Sequence, residues 1–96
     1  MLFKTVAAED PSSHLTSLHN DKYLYNLSQP WLTHYSIQHV HNRPADLWRI
    51  FGRKPFVWDE VKYEGDVPKN WGSLRPGQMV DKFWWGAACG AYSGTL

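Results

Sequence analysis

Apolar and polar positions along this chain fall into separate blocks. After Asp10-Pro11, which reads as an N-cap with proline at the first helical position, Leu15, Leu18, Lys22 and Tyr25 recur at helical spacing. The aliphatic stem of Lys22 can lie along that apolar stripe. Pro30 stops the helix. The stretch WLTHYSIQHVH keeps no clean period; Trp31, Tyr35 and Gln38 would share one helix face, which predicts a short helix. A break follows at Asn42-Arg43-Pro44. Leu47, Ile50 and Phe51 then cluster over about two turns, with Gly52 as the stop.

Between residues 53 and 76 the pattern becomes irregular. Pro55, Gly65, Pro68, Gly72 and Pro76 interrupt it, and only FVW (56–58) and VKY (61–63) are strand-like. A structureless run of that length argues against a compact domain. The segment reads as extended chain lying on a partner, pinned there by Trp58, Tyr63 and Trp71. A last helix is expected from Gln78 to the end. Internal repeats and heptads are absent.

Composition sharpens this picture. Six Trp, five Tyr and four Phe stand against two Ile, and Leu, Ile, Val and Phe together make 21 of 96 residues. Such a chain is poor in the aliphatics that build a core and rich in the aromatics that anchor one protein on another or at a bilayer surface. A formal charge of +1 gives no field that would draw nucleic acid. The start, MLFKTVAAED, lacks the apolar run of a secretory signal.

The final stretch, FWWGAACGAYSGTL, carries no charge and spaces Gly86, Gly90 and Gly94 four apart. On one helix these glycines would form a smooth groove of the kind that lets membrane helices pack closely. Ahead of them Lys82 can snorkel, and Trp84 and Trp85 suit the headgroup level. From Met79 to Leu96 such a helix would measure about 27 Å, somewhat short of a full span of about 20 apolar residues. The shortfall leaves open whether Leu96 is the natural C-terminus.

Catalytic and metal chemistry find little support. His39 and His41 are two apart and His34 precedes them, but no thiol is near and Asp46 is the closest acid. Asp59, Glu60, Glu64 and Asp66 sit in a mixed-charge run beside Lys62, glycine and proline, which reads as a solvated loop face. Cys89 lies in an apolar run as a small hydrophobe. Asn26-Leu27-Ser28 matches a glycosylation sequon, a common chance match. The expectation is therefore a protein that is not an enzyme and holds no cofactor or metal.

Two local motif pairs resemble a known family. Ala45-Asp46-Leu47-Trp48-Arg49 with Phe83-Trp84-Trp85-Gly86-Ala87-Ala88 resembles the small single-span subunits of the distal membrane arm of NADH:ubiquinone oxidoreductase (complex I). Arg75-Pro76 with Gly86-Ala87-Ala88-Cys89-Gly90 is similar to a second such subunit. The resemblance implies a non-catalytic accessory subunit that braces a mitochondrial respiratory complex in the inner membrane. Its partners would be other subunits and the bilayer. The expected fold is mainly α, with short helices and a Pro/Gly-broken extended segment leading to one C-terminal transmembrane helix. Residues 1–76 would form the peripheral part and residues 77–96 the membrane-entering helix. Lysine and arginine before the span place the N-terminal part in the matrix. The alternatives are an accessory membrane subunit of mitochondrial ATP synthase and a soluble scaffold docking through its C-terminal helix.

Overall fold

Parallel strand pairing organises the chain. A computed structural model describes residues 2–38, 43–69 and 71–94. Within them four short strands, β1 (His19–Asn20), β2 (Tyr35–Ile37), β3 (Phe56–Trp58) and β4 (Tyr92–Ser93), form one sheet in the order β1-β2-β3-β4. All neighbours are parallel. Helix α1 (Leu2–Glu9) precedes the sheet, α2 (Pro44–Phe51) crosses from β2 to β3, and α3 (Pro76–Ala88) crosses from β3 to β4. The fold is α/β, which corrects the expectation of a mainly α chain.

Several local signals act at other places than the sequence pattern predicts. Asp10 lies just past α1, and its carboxylate accepts from the Ser12 and His14 N–H groups at 3.0 and 2.6 Å, making a turn where a helix start was expected. Tyr35 to Ile37 joins the sheet as a fully buried run, so it carries no alternation that would mark it as a strand. The helix at Pro44 behaves as expected. Proline stands at its first turn, Arg49 pairs with Asp46 at 3.3 Å, and the Gly52 N–H donates to the Trp48 carbonyl at 3.0 Å.

The pleat sorts side chains by register. Tyr35 lies opposite Phe56 and Ile37 opposite Trp58, all on the face covered by the helices. They form the core with Leu27, Leu32, Leu47, Val61 and Ala91, against which Trp48, Phe51, Met79 and Phe83 pack. Phe56 meets both Tyr35 and Trp58 edge-on, and Trp58 stacks on Trp85 with ring centroids 4.8 Å apart. On the opposite face, His19 registers with Ser36, Ser36 with Val57 and Val57 with Tyr92. That face is open at its edges, where His19, Tyr92 and Leu15 stay exposed, while Ser36 is buried and Val57 half-buried. The Cα radius of gyration, 14.8 Å, exceeds the value of about 12.5 Å for a closed domain of this length.

The C-terminal region departs most from expectation. Helix α3 ends at Ala88, where the Gly90 N–H donates to Ala87 O at 3.0 Å and the Ala91 N–H to Gly86 O at 2.9 Å. This is a Schellman stop, with Gly90 supplying the left-handed residue at φ +79°. Glycine ends the helix, and the chain turns back as β4. Among the described residues no helix is long and apolar enough to cross a membrane, so the transmembrane helix, the inner-membrane location and the accessory-subunit role are all corrected. The three glycines do not share one helix face. Gly86 is buried where a Cβ would lie 1.9 Å from Ser93 Oγ and 3.2 Å from Trp58, and the Gly94 N–H donates to the Trp58 carbonyl at 2.7 Å. Their spacing serves a helix-to-strand return.

The correction has a measurable sign. On a continuous helix, Gly90→Ala would raise helix propensity. At a left-handed stop with a Cβ 3.3 Å from Trp48, it should instead destabilise the fold by about 1–2 kcal/mol. Urea denaturation of Gly90→Ala beside wild type decides the sign.

Candidate functional site

Polar side chains gather at the carboxyl ends of the strands. The pleat carries Asp59, two residues beyond Val57, onto the open face beside Ser36 and His19. His19 Nδ1 lies 3.0 Å from Asp59 Oδ2, and the Ser36 hydroxyl donates to the same oxygen. His19 Nε2 lies 3.2 Å from Gln38 Oε1 and 3.8 Å from Glu60 Oε2. Three strands thus contribute to one cluster. Asp59 Oδ1 is buried with no hydrogen-bond partner. A buried orphan acceptor is rare in folded proteins and tends to mark a place where ligand or water is met.

Hydrogen bonding to Asp59 raises the His19 pKa above 6.5, against a smaller opposing effect of desolvation, and Gln38 adds to the rise. The tyrosine hydroxyl of Tyr63 donates to Glu60, and chiefly for that reason its own pKa is raised. The backbone between these two is unusual. Lys62 adopts φ +91°, a conformation that L side chains rarely take, and the reversal returns Tyr63 toward Glu60. Backbone strain of this kind concentrates at functional sites.

The loop that follows β3 is tied to itself through Tyr63, Gly65, Trp71 and Leu74. Tyr63 N–H donates to Trp71 O at 3.2 Å, Leu74 N–H to Tyr63 O at 3.1 Å and Gly65 N–H to Leu74 O at 3.2 Å. Lys62 Nζ stands 5.5 Å over the Trp71 ring. Of the residues expected to pin the chain on a partner, Trp58 is wholly buried in this chain's own core, while Tyr63 and Trp71 brace the loop. Of the expected membrane anchors, Trp84 is exposed, Trp85 covers Trp58, and Lys82 is half-buried with its pKa lowered by desolvation and by Lys62.

The four clustered acids separate into two kinds. Asp59 and Glu60 are drawn into the polar network, whereas Glu64 and Asp66 are exposed. In sequence all four share one mixed-charge run, with nothing local to separate them. The available signal was FVW followed directly by Asp-Glu, since ligands of parallel α/β sheets meet the carboxyl ends of strands. His39 and His41 lie outside the described residues, and His34 hydrogen-bonds Thr33 at 3.0 Å. Among the described residues no three His, Cys, Asp or Glu side chains gather as metal ligands.

No family model and no curated protein matches this chain. A solved structure does: a protein named "putative glycoside hydrolase" from Bacteroides vulgatus ATCC 8482, at 37% identity and a TM-score of 0.85. The match covers 98% of this chain and 19% of that one, so the chain spans about a fifth of the structure it resembles. Nothing in these comparisons concerns respiratory-complex subunits.

The His19–Asp59 contact makes a prediction. With its folded pKa raised, His19 stabilises the fold fully below pH 6.5, and that contribution fades as pH climbs through the raised value. Asp59→Asn should return the His19 titration, followed by NMR of the ring protons, toward 6.5. An unshifted titration in wild type would show that the contact does not form.

Proposed function

We propose that this chain supplies part of the active site of a glycoside hydrolase, with Glu60 as a catalytic carboxylate and His19, Ser36 and Asp59 as its positioning network. One observation carries the reading: Asp59, at the carboxyl end of β3, is held by His19 of β1 and Ser36 of β2 on the open sheet face, and Glu60, just past the strand, comes within 3.8 Å of the same imidazole. The likeness to the Bacteroides protein supports the same chemistry. Four parallel strands in sequential order, linked by α2 and α3, also suit a segment of a (β/α) barrel, whereas a doubly wound sheet reverses its order.

Glycosidic bond hydrolysis uses two carboxyl groups, one donating a proton to the leaving oxygen and the other acting as an anion at the sugar or its water. Glu60 takes the anionic role. It accepts from Tyr63 and lies near the His19 imidazole, contacts that serve a carboxylate anion. Asp59 holds His19 through Nδ1, which turns Nε2 toward Gln38 and Glu60.

The test is hydrolysis of a panel of p-nitrophenyl glycosides by the full-length natural protein. Glu60→Gln should lower kcat by about 10³-fold or more, and Asp59→Asn by about 10-fold to 100-fold through lost positioning. Wild-type rates in Glu60→Gln, with Asp59→Asn abolishing turnover, would reassign the catalytic carboxylate.

A further inference from the structure

We infer that the loop over residues 21–25, which leaves the carboxyl end of β1, is a stacking subsite for a neutral sugar ring; the inference rests on the hydrolase reading above and names part of its substrate contact.

The loop is braced from below. Asn20 is fully buried, and its Nδ2 donates to the Leu18 and Ser36 carbonyls at 2.6 and 3.1 Å. Its Oδ1 accepts from the Tyr25 N–H at 2.8 Å. A satisfied buried amide of this kind fixes the loop against β1 and β2. Above that anchor, Tyr23 and Tyr25 are left exposed, 83% and 58%. Two exposed tyrosines on an anchored loop present apolar ring faces that the fold itself does not use.

Their surroundings define the ligand. Tyr23, Tyr25, Asp21, Lys22 and His19 line a cleft of about 250 Å³. Drug-sized ligands occupy pockets of about 300–1,000 Å³, so this cleft suits one sugar ring. A pyranose offers an apolar C–H face to an aromatic ring and hydroxyls around its rim. Here the rim meets a carboxylate acceptor at Asp21, an ammonium donor at Lys22 and an imidazole at His19. Asp21 offsets Lys22, and His19 is already paired with Asp59, which favours a neutral ring, because an acidic sugar would meet Asp21 as well as Lys22. His19 belongs both to this cleft and to the Asp59–Glu60 network, so a ring stacked on the loop lies next to the proposed catalytic carboxylate.

The experiment is calorimetric titration of the full-length protein carrying Glu60→Gln, which holds ligand without cleaving it. The probes are short neutral gluco-, xylo-, manno- and galacto-oligosaccharides, and an oligogalacturonide. At least one neutral series should bind, and Tyr23→Ala and Tyr25→Ala should each weaken it about tenfold. Trp84→Ala, which removes an exposed aromatic from α3, should leave it unchanged. The inference falls if no neutral series binds, if the oligogalacturonide binds more tightly, if both tyrosine variants bind as the parent does, or if Trp84→Ala weakens binding equally. Binding that depends on tyrosine in a protein whose wild type hydrolyses no glycoside supports the subsite and removes the hydrolase reading. Hydrolysis with binding indifferent to both tyrosines does the reverse.

Discussion

Strand β3 runs through Phe56, Val57 and Trp58 into Asp59 and Glu60, and its pleat divides them. Phe56 and Trp58 go down among the helices; Val57 and Asp59 go up to the open face. The large aromatic pair holds this division in place, because turning the strand over would expose both rings and bury a carboxylate without its partners. Trp58 is in turn the floor for α3: Trp85 stacks on it, Gly86 lets the helix approach it, and Gly94 hydrogen-bonds its carbonyl. The packing of one face therefore fixes the chemistry presented by the other.

On that other face the polar groups act as a set. Asp59 is useful where it stands because β1 and β2 bring His19 and Ser36 to it, and parallel pairing is what aligns three carboxyl ends. Asn20 repeats the logic one residue further along β1, where a buried amide joins two strands and steadies the loop above them. A similar device holds the opposite end of the core. Lys54 donates to the Leu27 and Gln29 carbonyls at 3.0 and 2.6 Å while lying 5.9 Å from the Tyr35 ring, and desolvation there lowers its pKa.

Local signals were legible where they were self-contained. Helix α2 announced itself through Pro44, the Leu47–Phe51 cluster and Gly52, and FVW stood out as strand-like. Signals that depended on distant residues were not legible. Tyr35 to Ile37 is three residues long with every position buried, so it shows no alternation and looks like any apolar patch. A glycine every four residues fits a packing groove as well as a helix stop, and only the return of β4 onto Trp58 tells them apart. Asp59 and Glu60 resembled a solvated run because what distinguishes them, His19, lies 40 residues away from Asp59 in sequence.

On the proposed function, the open sheet face organised by His19, Ser36 and Asp59 is where sugar and catalytic carboxylate meet. The most direct measurement is a crystal structure of the full-length protein carrying Glu60→Gln with a neutral oligosaccharide bound. A sugar ring should lie over the carboxyl ends of β1 and β3, its glycosidic linkage beside residue 60, with Asp59 still joined to His19. A sugar bound elsewhere on the protein, or an Asp59 turned away from His19, would contradict it.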